Sequence, residues 1–159
     1  MSIIIYTDGS ARGNPGNGGY GVVLISGEYR KELSQGYKKT TNNRMELLAV
    51  IVALEKIKQQ PSDVTVYSDS KYVVDAVGKK WVFNWEKNNF KKKKNPDLWI
   101  RFLKVFRKHR VSFVWVKGHA NNTENERCDF LAVEAAESKD LKTDFWYEKS
   151  VSNNKNTLF

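Results

Sequence analysis

The chain has 159 residues, 40% apolar and 13% aromatic, which is enough for one domain with its own core and excludes a disordered or fibrous class. A single cysteine, Cys128, excludes an intramolecular disulfide and suits a reducing compartment; no apolar run approaches bilayer length and no targeting segment is visible, so a cytoplasmic location away from membranes is expected. The net charge of +9 is local, because Lys79 to Arg110 holds twelve Lys or Arg against Glu86 and Asp97, while the rest of the chain is nearly neutral.

Ile3 to Thr7 is a β-rich run ending at Asp8-Gly9-Ser10, with apolar side chains on both alternating faces, which predicts a central strand covered on both sides. Arg12 to Gly19 reads as a Gly/Asn/Pro loop without the Gly-Lys-Ser/Thr ending of a nucleotide-binding loop. Tyr20 to Ile25 predicts a second strand, Ser26-Gly27-Glu28 a hairpin turn, and Tyr29 to Lys38 a third strand. Asn42 to Lys58 is the clearest helix, lined by Met45, Leu48, Val52, Leu54 and Ile57, with Asn42 or Asn43 as its N-cap. After Pro61, Val64 to Tyr67 predicts a fourth strand ending at Ser68-Asp69-Ser70. Short helical pieces then cross the basic block, where Trp81, Phe83, Trp85, Phe90 and Trp99 alternate with lysines. Solubilising faces seldom carry tryptophans, and no basic amphipathic helix suggests a membrane, so this block reads as a nucleic-acid surface.

Asp97 to Lys108 predicts another helix, Val111 to Val116 a fifth strand, and Gly118 to Asn122 a loop. Thr123-Glu124-Asn125-Glu126 is a capping-box pattern opening the last long helix, whose apolar stripe is Cys128, Leu131, Ala132 and Ala135. The tail after Lys149 is rich in Ser, Asn and Lys and is expected to fray. This order predicts an α/β fold, a mixed sheet with helices packed on its faces.

Asp8 and Asp69 each end a strand, Glu46 lies in the first turn of the main helix, and Asp129 in the second turn of the last one. Singly, each is an ordinary turn or helix-start acid. Together, two acids beyond the carboxyl ends of parallel neighbouring strands, joined by a helix acid, would form one site. Several converging carboxylates persist as anions only beside cations, and oxygen ligands without a thiolate or histidine pair favour Mg²⁺ or Mn²⁺ over zinc. Cys128 falls on the apolar stripe and reads as a small core residue. A carboxylate-held metal pair beside a basic surface suits phosphoryl transfer. His119 reads equally as an idle surface histidine or a proton shuttle. No GxSxG elbow supports a serine nucleophile.

Tyr6-Thr7-Asp8-Gly9-Ser10, Gly13-Asn14-Pro15-Gly16, Thr41-Asn42-Asn43-Arg44-Met45-Glu46-Leu47, Ser68-Asp69-Ser70, Trp115-Val116-Lys117-Gly118-His119-Ala120 and Glu124-Asn125-Glu126-Arg127-Cys128-Asp129 resemble, in order, type 1 ribonuclease H of bacteria. The resemblance spans roughly Ile3 to Ala136. It implies a ribonuclease H-like fold with a five-stranded mixed sheet flanked by helices, and hydrolysis of the RNA strand of RNA–DNA hybrids by a two-metal-ion route with Mg²⁺, leaving 5′-phosphate and 3′-hydroxyl ends. Asp8, Glu46, Asp69 and Asp129 match the metal acids, and His119 the loop histidine that assists proton transfer or product release. Asn14, Asn42 and Asn43 match contacts near the minor groove, where Lys71 replaces the uncharged side chain of many relatives. Lys39, Thr41 and Asn95 match a grip on a DNA phosphate, and Tyr72, Trp81 and Trp85 a channel against DNA sugars. Residues 79–96 match a basic handle, shortened between Phe90 and Trp99 to the run Lys91, Lys92, Lys93 and Lys94. The expected organisation is a catalytic domain over 1–149 with a frayed tail over 150–159, acting as a monomer. A hybrid-binding module without cleavage would be expected to lack one of the metal acids. An integrase or exonuclease on the same fold would not be expected to carry both the Thr41 and the Trp115 strings. A detached reverse-transcriptase domain is the third alternative.

Overall fold

The structure is a computed structural model and describes residues 2–117 and 122–156. Its elements are β1 (Ser2–Ala11), β2 (Gly16–Ser26), β3 (Tyr29–Thr40), α1 (Asn42–Lys56), β4 (Asp63–Ser68), α2 (Lys71–Gly78), α3 (Trp81–Lys87), α4 (Pro96–Phe106), β5 (Arg110–Trp115), α5 (Thr123–Glu137), β6 (Leu141–Lys142) and α6 (Phe145–Asn156). The strands form one mixed sheet in the order β5-β4-β1-β2-β3-β6. β1 runs parallel to β4 and antiparallel to β2, and β4 runs parallel to β5.

β1 shows why the sheet is covered on two sides. Ile3, Ile5 and Thr7 are buried on one face, where the two isoleucines join the larger core with Met45, Leu48 and Ile51 of α1. Tyr6 points the other way, beside Val23 of β2 and Cys128 and Leu131 of α5. The predicted stripe of α5 is borne out, with Cys128, Leu131, Ala132 and Ala135 all buried. α5 lies very close to the sheet. A Cβ on Gly21 would stand 2.3 Å from the Cys128 carbonyl oxygen, so only glycine permits that approach.

Several expectations need correction. The sheet has six strands, not five, because two residues of β6 pair in parallel with Gly36 and Tyr37 on the edge of β3. A two-residue strand has no periodicity to read. The N-cap of α1 is Thr41, whose extended backbone lets Oγ1 accept from the Arg44 amide at 3.2 Å. Asn42 is the first helical residue, and its side chain accepts from the Ala11 amide instead. α5 is capped by Asn122, whose Oδ1 accepts from the amides of Glu124 and Asn125, and Thr123 is already helical. β2 begins at Gly16, inside the stretch expected to be loop.

Candidate metal centre and adjoining groove

The parallel register of β1 and β4 pairs Tyr6 with Tyr67, whose rings stack at 4.9 Å between centroids. Two residues beyond this last pair stand Asp8, still in β1, and Asp69, just past the end of β4, so the parallel register directs both acids to the same edge of the sheet. Glu46 is delivered from α1. The β1 main chain lies directly on this helix, because a Cβ on Gly9 would come within 2.4 Å of the Glu46 amide nitrogen and the Met45 carbonyl carbon. Carboxylate oxygens of Asp8, Glu46 and Asp69 all lie within 4.8 Å of one another. Asp129 follows Cys128, the residue seated over Gly21, and Gly21 is the cross-strand partner of Asp8. Asp129 thereby lines the same cavity of about 350 Å³, with Asn42, Asn43, Lys71 and Tyr72, but stands outside the tight group of three.

The surroundings are fixed by short contacts. The Gly9 amide donates to Asp8 Oδ1 at 2.9 Å. Ser70 caps α2 through the Val73 amide, and its own amide donates to Ser68 Oγ, which shapes the turn presenting Asp69. Trp115 Nε1 donates to the Asp69 carbonyl at 3.2 Å, and Lys71 Nζ lies 4.5 Å from the Trp115 ring centroid. Asn14 Oδ1 accepts from the Asn42 amide at 3.1 Å, binding the glycine-rich turn to the start of α1.

Electrostatics set this cluster apart from ordinary surface acids. Burial first, and the neighbouring Asp69 second, push the Asp8 carboxyl up to about 7. Burial and then Asp8 raise Glu46 well above the usual carboxylate range. Glu46 Oε2 is buried with no hydrogen-bond partner among the described residues. A buried oxygen without a donor, facing two more acids, is the chemical signature of a cation site. The donor set is all oxygen, which fits a hard divalent ion.

A second concavity of about 590 Å³ adjoins the first, and Asn43 lines both. It collects Asn14, Thr41, Lys93, Lys94 and Asn95 from the expected contact set, together with Trp146 of α6. Lys39, Trp81, Trp85, Lys91 and Lys92 line neither cavity. Trp81 is 44% exposed, with Lys79 Nζ 5.1 Å from its ring centroid. Trp85 packs edge-on against Trp99 and carries Lys93 over its ring. Phe90 and Trp99, which in sequence alternate with the lysines, are core residues. His119 lies outside the described residues.

Arg44, to which the sequence assigns no separate role, proves central. Its guanidinium is 2% exposed and donates to both oxygens of Asp97, both oxygens of Asp144, and Asn95 Oδ1. Asn95 Nδ2 in turn donates to the Tyr72 hydroxyl, which also accepts from Trp99 Nε1. With those acceptor positions used, Tyr72 is left to act as a hydrogen-bond donor. A charged residue inside the apolar face of α1 was the available signal, since buried arginines are normally paired.

Comparison with known proteins gives one consistent result. Residues 1–137 match the family model described as RNase H. "Ribonuclease H" of Syntrophus aciditrophicus is 58% identical over 150 residues, covering 91% of this chain and 86% of the relative. "Ribonuclease H" of Trichodesmium erythraeum is 55% identical over 151 residues, covering 92% and 96%. Among solved structures, LC9-RNase H1, described as a type 1 RNase H with the type 2 active-site motif, superposes with a TM-score of 0.76 at 34% identity, covering 85% of this chain and 72% of that one. LC11-RNase H1, solved in complex with RNA/DNA hybrid, gives 0.63 at 32% identity, covering 84% and 96%.

Proposed function

The chain belongs to the RNase H family, and from that premise we propose that it hydrolyses the RNA strand of RNA–DNA hybrids at the Asp8, Glu46, Asp69 and Asp129 site. The convergence of three carboxylates within 4.8 Å carries this reading. Asp8, Glu46 and Asp69 would hold the ions, with Asp129 at the cavity edge, and Mg²⁺ suits the oxygen donors, with Mn²⁺ as substitute. When bound, two such ions supply the Lewis acidity for in-line displacement at phosphorus, the route that leaves 5′-phosphate and 3′-hydroxyl ends.

The chain's own groups select and orient the substrate. Asn42 and Asn43 line the carboxylate cavity and Asn14 is tied to the Asn42 amide, an arrangement suited to the minor-groove edge and 2′-hydroxyls by which RNA is told from DNA. Lys71, exposed beside Trp115, adds positive charge there. Thr41 and Asn95, with Lys39, grip a DNA phosphate. Tyr72, Trp81 and Trp85 offer flat faces to the deoxyriboses. Lys91 to Lys94 attract the backbone. His119 moves a proton during turnover or release. Among the described residues no helix is long and apolar enough to cross a membrane, and we place the protein as a monomer in the cytoplasm.

The test is incubation with strand-labelled hybrid, duplex RNA, duplex DNA and single strands, with and without Mg²⁺. The expected result is cleavage of the RNA strand of the hybrid alone, and only with metal. Metal-independent cleavage, or cutting of duplex DNA, would overturn the reading.

A further inference from the structure

The second cavity has a wall that the family match does not reach. Residues 1–137 match the family model, whereas Trp146, Tyr147, Ser150 and Val151 on that wall belong to α6. The same cavity is lined by Lys94 and by Lys93, whose ammonium stands over the Trp85 ring, and both lysines are exposed. Among the described residues, no acidic side chain lines this cavity. It adjoins the carboxylate pocket, and Asn43 lines both.

We infer, on the basis of the proposed function, that α6 forms a further substrate-binding wall, along which the DNA strand of the hybrid continues after leaving the Thr41 and Asn95 grip. A strand entering this space meets lysine on one side and aromatic surface on the other. That is the pairing used to hold a nucleic-acid backbone together with its sugars or bases. Trp146 is 40% exposed, and the Arg44 guanidinium lies 5.1 Å from its ring centroid, which steadies the ring as a platform. The wall is anchored to the gripping residues, because Arg44 bonds both Asn95 and Asp144, and the Asp144 carbonyl accepts from the Glu148 amide in α6. A lining of lysine and aromatic groups disfavours a cationic ligand and suits a polyanion.

Ser150 gives a clean probe. Its hydroxyl bonds the Tyr147 carbonyl inside the same helix at 2.8 Å, so its replacement breaks no link between elements. Ser150→Glu and Ser150→Lys would be compared on two hybrids with a common cleavage site. In one, the DNA strand ends at the phosphate grip; in the other, it extends several nucleotides past it. On the long hybrid, Ser150→Glu should raise KM roughly two- to fivefold and Ser150→Lys should lower it, as for one exposed charge pair, with kcat unchanged. On the short hybrid, which fills only the Thr41 and Asn95 end of the same cavity, both shifts should be smaller. Shifts of the same sign for both variants, or equal shifts on both hybrids, would overturn the role of α6, since a merely structural role ignores both charge and strand length. Wild-type turnover on both hybrids with no effect of either variant would overturn that role and leave the proposed function standing. Failure of the wild type to bind or cut either hybrid would overturn both.

Discussion

At Asp8 and Asp69, like charges in a partly buried pocket oppose folding, and a bound cation would relieve that repulsion. Asp8→Asn and Asp69→Asn should each abolish cleavage in saturating Mg²⁺ while leaving circular dichroism unchanged. In metal-free buffer each should melt at or above the wild-type temperature, because removing one anion relieves the others. Near-wild-type turnover by either variant would remove that residue from the site. These two acids are legible in the sequence because each closes a short β run and sits in a distinctive string. Arg44 is legible as a letter of such a string but not in its role. Asp97 and Asp144 are remote from it in the chain, and only the packing of α1, α4 and α6 brings them to one guanidinium.

Two ionic clusters join whole elements. Burial opposes the charge on Arg44, and its bonds to Asp97 and Asp144 outweigh that, so the guanidinium stays protonated throughout any usable pH range. Arg44→Met would leave those acids facing each other with no cation between them. Loss of one partner from a buried network costs about 3–5 kcal/mol, and urea unfolding monitored by tryptophan fluorescence should show a midpoint shift of that order. A loss well below about 1 kcal/mol, the scale of an exposed pair, would mean that water replaces the guanidinium. The other cluster clasps α5 to β3, where Arg127 and, secondarily, Arg30 hold Glu32 down at about 2, below its usual 4.5. A depressed carboxylate stabilises the fold above its unfolded value, and the gain is lost as pH falls through its folded value. Glu32→Gln should therefore melt below wild type at neutral pH, with the gap closing as pH falls from about 4.5 towards 2. A gap that persists in acid would assign the effect to shape instead of charge. α1, a long apolar run that is buried nearly all round and stops before Pro61, is foreseen nearly to its ends. α6 is not, because its Ser-, Asn- and Lys-rich sequence lacks an apolar stripe, and its attachment runs through Arg44 and Asp144.

Across the whole molecule the charge is divided between functions. Acids gather at the end of β1 and β4, and the excess of positive charge occupies Lys79 to Arg110. Replacing Lys91, Lys92, Lys93 and Lys94 together by Ala should raise KM at low salt and nearly preserve kcat, since the carboxylates are untouched. Each phosphate that is no longer neutralised should flatten the slope of log affinity against log salt by roughly 0.7–0.9. Trp81→Ala, which removes ring surface and no charge, should weaken binding with little change in that slope. A salt series separates the two cases, and an unchanged slope in the four-lysine variant would make the run a solubilising face. Only folding sorts the aromatics of the basic block, because alternation with lysine does not distinguish Trp81, largely open, from Trp99, wholly enclosed.

Main chain meets main chain where Gly9 lies against the peptide between Met45 and Glu46. No side chain stands between them to act as a compressible spacer, so the distance from Asp8 to Glu46 works like a mechanical stop. The apolar interior behind it can therefore drift over generations, with Met45→Leu or Ile51→Val trading melting temperature for sequence freedom, while metal affinity and turnover stay nearly constant. The tolerance ends at one methyl group. Gly9→Ala must force β1 and α1 apart, and isothermal titration should find its Mg²⁺ affinity reduced even at temperatures where the protein remains folded.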